Sequence, residues 1–171
     1  MGSEFSIYLP ATDKQVAFER SRSEPAKGKG RILALDDEEA ICELVKAALT
    51  PLGYDVTTVQ DGQSAINAYK ASMEEDRKFD AVISDLTIPG GMGGAECIKR
   101  LVEMDPGVKA IVSSGYAMDP VMSRYREYGF CACIAKPYEV SDLGHVVHDV
   151  LESKNSAETL IYHDFVQSQL A

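Results

Sequence analysis

The feature that most constrains this sequence is a fivefold alternation between apolar, β-prone runs and segments with helical apolar spacing. The runs span residues 31–35, 54–59, 79–84, 108–112 and 130–135, and the helical segments span 38–49, 63–75, 93–103, 120–128 and 140–151. Short connections and right-handed crossovers turn such a series into a parallel sheet with helices on both faces. The alternation therefore predicts one α/β domain but leaves the strand order open.

Polar residues follow four of these runs at the point where each strand ends. They are Asp36 with Asp37, Asp85, Ser114 and Lys136. The carboxyl ends of parallel strands open on one edge of a sheet, so these side chains are expected to converge there. Taken singly, each acid has an ordinary interpretation, because Asp residues after strands are commonly helix caps or solvated turns.

Together these residue types indicate a chemistry. Clustered carboxylates repel one another, and Mg²⁺ is a hard cation that relieves this repulsion through oxygen ligands. The Lys136 ammonium and the Ser114 hydroxyl add a cation and a neutral donor. Such a pocket suits a tetrahedral dianion, with Asp85 as the nucleophile for phosphoryl transfer.

This set of strand-end residues resembles the receiver domain of bacterial response regulators over residues 31–151. The resemblance implies a flavodoxin-like, doubly wound five-stranded sheet of order 2-1-3-4-5. It implies that Asp85 accepts phosphate from a histidine on a kinase or a phosphotransfer domain. It also implies that the domain catalyses its own phosphorylation and dephosphorylation.

The same resemblance implies a magnesium site. Asp37 and Asp85 would bind Mg²⁺ directly, Asp36 would bind through water, and the Thr87 carbonyl would be a backbone ligand.

The resemblance also gives roles to the residues that end the last two strands. Ser114 would bond the phosphoryl group, Lys136 would pair with Asp85 or the phosphate, and the Lys136–Pro137 peptide bond would be cis. One departure is Cys133, which stands where the family usually has an aromatic switch residue. Tyr116 or Tyr138 would then be a substitute aromatic.

The flanks divide the chain into three parts. Residues 1–30 are expected to hold a cloning scar, the last strand of a preceding kinase domain and a mobile linker; residues 31–152 the receiver; and residues 153–171 an extension that is either a helix or a frayed tail. The run at 88–94 resembles receivers fused to sensor kinases. This likeness favours the C-terminal receiver of a hybrid histidine kinase.

Composition limits which partners and which cellular compartment are expected. A net charge of −10 argues against direct nucleic-acid binding, and no apolar run reaches the length of a membrane span. The four cysteines do not indicate a secreted disulfide framework, so a cytoplasmic location is expected. Cys131 and Cys133 are expected to share one face of a strand as small core residues, with a redox pair or half of a metal site as the alternatives. A homodimer is left open.

Two other functions compete with phosphate acceptance. The loss of the aromatic at Cys133 raises the alternative of a pseudo-receiver that only docks partners. An aspartyl-phosphate phosphatase is disfavoured, because those enzymes tend to carry a second acid where this chain has Thr87.

Overall fold

A computed structural model describes residues 24–89, 91–116 and 119–153 of the chain. The strands are β1 (Gly30–Leu35), β2 (Tyr54–Val59), β3 (Ala81–Asp85), β4 (Ala110–Ser114) and β5 (Ala132–Ala135). The helices are α1 (Glu39–Leu49), α2 (Gly62–Glu74), α3 (Gly94–Met104), α4 (Pro120–Ser123) and α5 (Val140–Glu152). Short 3-10 turns follow α1 at Thr50–Leu52 and α4 at Tyr125–Tyr128.

The sheet has the order β2-β1-β3-β4-β5, and all of its pairings are parallel. The predicted flavodoxin-like fold and strand order are therefore confirmed. In this order β1 and β3 lie side by side at the centre, which is where the order of the strands reverses. Open α/β sheets place their ligands outside the carboxyl ends of the strands at this point.

Two apolar cores cover the two faces of the sheet. In β1, Ile32 and Ala34 pack with α1 and α5, whereas Leu33 and Leu35 pack with α2 and α3. This alternation follows the period of two along a strand, and it explains why strands buried on both faces are almost continuously apolar.

Two large apolar residues of α1 and α5 lie outside the core. Leu44 on α1 is 43% exposed and Val140 at the start of α5 is 46% exposed. The buried face of α1 instead includes Cys42, and that of α5 includes Gly144 and Val146. Helical spacing locates the apolar stripe, but which flank of the stripe touches the sheet depends on the crossing of helix and strands.

Cys131 and Cys133 do not share a face. Cys131 packs with the core on the α1–α5 side, whereas Cys133 packs with the core on the α2–α3 side. The reason is that β5 begins at Ala132, so Cys131 precedes the regular alternation of the strand. Both thiols are free, and burial raises the pKa of each. The interpretation as small core residues is supported, and a redox pair is not.

The predicted fourth helix is broken into two pieces. α4 ends at Ser123, and Arg124, with φ −127° and ψ 31°, separates it from the 3-10 turn that ends at Gly129. The expected strand at 6–10 and helix at 157–170 lie outside the described residues.

Candidate phosphoryl-acceptor site

The four polar strand ends converge at the carboxyl edge of the sheet, as the sequence predicts. Asp85 is the last residue of β3 and Ser114 is the last residue of β4, while Asp36 and Lys136 directly follow β1 and β5. Parallel pairing of β1 with β3, of β3 with β4 and of β4 with β5 brings these positions to one edge.

Lys136 joins the two buried carboxylates of the site. Its Nζ lies 2.6 Å from Asp36 Oδ2 and 2.8 Å from Asp85 Oδ1. All three side chains are largely buried, with exposures of 15% for Lys136, 7% for Asp36 and 9% for Asp85. The predicted pairing of Lys136 with Asp85 is thus present, and Asp36 shares the same ammonium. The Lys136–Pro137 peptide bond is cis, as expected.

The second oxygen of each carboxylate accepts a backbone hydrogen bond. The Glu38 N–H donates to Asp36 Oδ1 at 3.1 Å, and the Thr87 N–H donates to Asp85 Oδ2 at 2.9 Å. Each carboxylate therefore has one oxygen on a backbone N–H and the other on Lys136. Thr87 itself is exposed, which leaves it at the surface of the site.

The buried cluster has a net negative charge, because a single ammonium lies between two carboxylates. Burial raises the pKa of Asp36 by more than its hydrogen bond and ion pair with Lys136 lower it. Burial alone would lower the pKa of Lys136, but its bonds to the two carboxylates raise it above its ordinary value. Lys136 therefore remains charged at neutral pH, and Asp36 resists ionisation.

Ser114 and Asp37 lie at the periphery of this cluster. Ser114 is 2% exposed, and its Oγ accepts a hydrogen bond from the Tyr116 N–H at 3.1 Å. Asp37 is exposed, unlike its neighbour Asp36. Within the described residues, no three His, Cys, Asp or Glu side chains are gathered closely enough to form a metal-binding group.

Gly94, at the start of α3, is a residue of the site that sequence reasoning missed. A Cβ at this position would overlap the carbonyl oxygen of Asp85 and lie 2.6 Å from Ser84 Oγ. The Ser84 hydroxyl in turn donates to the Asp85 carbonyl at 3.2 Å. Glycine is thus required for α3 to begin against the backbone of Asp85. The glycine-rich run that ends at Gly94 is the sequence signal for this close approach.

The model of the response regulator receiver domain family matches residues 32–148. The chain belongs to this family. Within the described ranges of this receiver, none of the helices combines the length and apolar character needed to cross a bilayer.

Individual relatives place the receiver in proteins of different size. The chain is 29% identical over 167 residues to the sensor kinase CckA of Brucella abortus (strain 2308), covering 90% of this chain but only 17% of that protein. It is 29% identical over 121 residues to the chemotaxis protein CheY of Thermotoga maritima, covering 70% of this chain and 96% of that protein.

Solved structures show the same fold. In the complex of CheX, CheY, BeF₃ and Mg²⁺ from Borrelia burgdorferi, the similar chain has a TM-score of 0.66 and 22% identity. The match covers 72% of this chain and 90% of that one.

The aromatic side chains near the site differ from the expectation for a receiver switch. Cys133 is half-buried in the core on the α2–α3 side, and Tyr116 is 71% exposed. Tyr138 is half-buried against the other core, and burial raises its pKa. Of the two substitute aromatics considered, Tyr138 is the one held against the body of the domain.

Proposed function

We propose that this receiver domain accepts a phosphoryl group on Asp85 from a phosphohistidine in two-component signalling. The observation that carries the proposal is the Lys136 ammonium held between Asp36 and Asp85 at 2.6 Å and 2.8 Å. A buried ion pair is weak evidence of a contribution to stability, since desolvation of the charges offsets their attraction. Two buried carboxylates around one lysine are better explained by a site that awaits another group.

The transfer uses the residues at the ends of the strands. An oxygen of Asp85 forms a bond to phosphorus while the phosphorus–nitrogen bond of phosphohistidine breaks, and the imidazole nitrogen leaves with that bonding pair. Lys136 then faces new negative charge on the phosphoryl oxygens, which its position beside Asp85 allows it to stabilise. Ser114 supplies a hydroxyl hydrogen for the phosphoryl group on the adjacent strand.

We infer that the acids at the carboxyl edge bind a magnesium ion, since carboxylate oxygens are the donors that Mg²⁺ prefers. Asp36, Asp37 and Asp85 carry three negative charges against the single charge of Lys136. They would hold Mg²⁺ together with the Thr87 carbonyl, and a divalent cation would bring this set to neutrality. When bound, Mg²⁺ would neutralise charge on the transferring phosphoryl group. Burial, and to a lesser extent the neighbouring charge of Asp85, raises the pKa of Asp36, and a bound cation would favour its ionised form.

The partner would be a histidine kinase or a histidine phosphotransfer domain. The likeness to a sensor kinase over 90% of this chain supports an origin in a hybrid histidine kinase. The domain's own part in phosphorylation and dephosphorylation would then be the activity of a receiver within a larger signalling protein.

The test is phosphorylation by acetyl phosphate with Mg²⁺, followed by intact-mass measurement. We expect a gain of one phosphoryl group in the unmodified sequence and no gain in Asp85→Asn. Asp80→Asn is the matched control, because Asp80 is an exposed acid just before the other end of β3. Chelation of Mg²⁺ by EDTA should abolish the gain.

The alternative is a pseudo-receiver that docks partners without being phosphorylated. The half-buried Cys133 favours it, because a thiol cannot swing between inward and outward positions as an aromatic ring does. A complete absence of mass gain, with Asp85 intact and Mg²⁺ present, would contradict our proposal and favour this alternative.

A further inference from the structure

The segment that precedes β1 packs against the receiver, although its sequence predicts a mobile linker. We call residues 24–29 the strap. The Gly28 N–H in the strap donates to the Leu52 carbonyl at 2.9 Å, which ties the strap to the turn between α1 and β2. Pro25, Ala26 and Gly28 are half-buried, whereas Lys27 and Lys29 are exposed. The strap thus has one face on the domain and one face in solvent.

Glycines on both sides of this contact allow the two backbones to meet. Gly53 has φ +105°, a conformation that favours glycine, and a Cβ there would overlap the Gly28 carbonyl oxygen. A Cβ at Gly28 would overlap the hydroxyl of Tyr54, which is itself 3% exposed. Side chains at either glycine would therefore push the strap away from the start of β2.

A third glycine, in α5, allows the same segment to approach this helix closely. At Gly144 a Cβ would lie 2.8 Å from Leu52 Cδ1 and 3.5 Å from both Pro25 Cβ and the Ala26 carbonyl oxygen. Glycine is disfavoured in the interior of a helix, so its presence there asks for a packing reason. The approach of Leu52 and the strap to α5 provides that reason.

We propose that the strap is an element that stays docked on α5 and the α1–β2 turn in solution, and not the mobile linker that its sequence predicts. The surface formed by Leu52, Gly53, Tyr54 and Gly144 is then an intramolecular docking site whose occupant is the strap. This inference is independent of phosphorylation at Asp85.

Amide hydrogen exchange on the full 171-residue chain tests the proposal. The Gly28 amide should exchange roughly tenfold or more slowly than in an unstructured peptide. Trypsin should cleave after Lys27 and Lys29 more slowly than in an unstructured peptide, because cleavage requires the strap to detach from the domain. Exchange of Gly28 at the unstructured rate in the unmodified chain would overturn the proposal.

Variants separate docking from general stability. Gly144→Val should raise Gly28 exchange and cleavage after Lys27 by roughly tenfold, since its side chain meets the strap and Leu52. Gly91→Val is the matched control, because a Cβ at Gly91 meets nothing within 4 Å, and it should leave both rates unchanged. A folded Gly144→Val chain with unchanged protection would contradict the proposal.

A second pair of variants covers the case in which Gly144→Val does not fold. Gly28→Ala alone should release the strap, because its methyl group meets the Tyr54 ring. Adding Tyr54→Leu should restore part of the protection by making room. Independent effects of these two substitutions on exchange near the strap would show that the strap does not dock on Tyr54.

Discussion

Both edges of the sheet carry charged residues, but the hydrogen-bond partners of these residues differ between the two edges. At the carboxyl edge, Asp36 and Asp85 share the single ammonium of Lys136. At the amino edge, Asp105 accepts from three donors: the Tyr69 hydroxyl at 3.0 Å, the Gly107 N–H at 3.1 Å and Lys78 Nζ at 3.3 Å. Asp36 and Asp85 each accept one further bond from a backbone N–H, so each has two donors, whereas Asp105 has three.

The pKa values of the two acids report this difference. Burial raises the pKa of Asp36 despite Lys136. Burial would also raise the pKa of Asp105, but its three donors together hold it below the ordinary value. A charged Asp105 therefore stabilises the fold, whereas a charged Asp36 costs stability. The ionised Asp36 therefore lowers the stability of the fold at the carboxyl edge, and binding of a cation or a phosphoryl group there would raise it again.

The largest expected effect is from Lys136→Met at the carboxyl edge. The substitution leaves Asp36 and Asp85 buried without their shared counter-ion, and breaking a buried charge cluster costs about 3 kcal/mol. Urea unfolding at pH 7 measures the change in the free energy of unfolding. A loss no larger than that of an exposed lysine would show that the carboxyl edge is not short of positive charge.

Tyr69→Phe should have the next largest effect, at the amino edge. Tyr69 is 1% exposed and its ring stacks on Phe79, so the substitution removes only the hydroxyl that donates to Asp105. Loss of a hydrogen bond to a charged acceptor costs about 1.5 kcal/mol in the free energy of unfolding. Tyr116→Phe at an exposed ring is the control and should change stability by less than about 0.5 kcal/mol.

Replacing each acid by its amide should change the free energy of unfolding in different directions at the two edges. Asp105→Asn should destabilise by about 1 kcal/mol, because it weakens three charge-assisted bonds. Asp36→Asn should be neutral or stabilising at pH 7, because it removes a charge that burial disfavours while Lys136 keeps Asp85. Thermal and urea unfolding of the two variants give the comparison, and equal losses would contradict it.

The same pair should diverge with pH. The lowered pKa of Asp105 gives stability that is present above pH 3.8 and is lost as the pH falls through its folded value. The raised pKa of Asp36 has the opposite sign: its ionised form costs stability above the folded pKa, and this cost disappears as the pH falls. The effect of Asp105→Asn should therefore shrink below pH 3.8, as unfolding curves between pH 3 and pH 7 would show.

The smallest expected effect is from Lys78→Met at the amino edge. The Lys78 side chain is 54% exposed, and its ion pair with Asp105 is 3.3 Å long. Exposed pairs of this kind contribute about 0.5 kcal/mol or less, and salt screens them. A loss comparable to that of Lys136→Met would remove the distinction between the edges.

The sequence predicts the carboxyl edge well because its residues follow one simple rule. Four of the five strands are apolar runs that end on a polar residue, so a parallel sheet brings Asp36, Asp85 and Lys136 to the same edge. The amino edge follows no such rule. Tyr69 and Asp105 are separated by 36 positions and meet only because α2 and the turn after α3 lie side by side.

Close backbone approaches were equally invisible in the sequence. The strap has the glycines and lysines of a linker, and nothing local shows that Gly28 meets Tyr54 or that Gly144 leaves room for Pro25. Likewise, nothing in the glycine-rich run at 88–94 shows that Gly94 lies against the Asp85 carbonyl. Glycines in a sequence show where another segment can approach the backbone closely, but only the fold shows which segment does so.

The most direct test of the account locates the phosphoryl group itself. After treatment with acetyl phosphate and Mg²⁺, borohydride reduces an acyl phosphate to an alcohol, which converts the modified aspartate to homoserine. Peptide mass mapping should find homoserine at position 85 and aspartate at positions 36, 37 and 80. Homoserine at any of those other positions, or aspartate retained at position 85 in a chain that has gained phosphate, would contradict the assignment of Asp85.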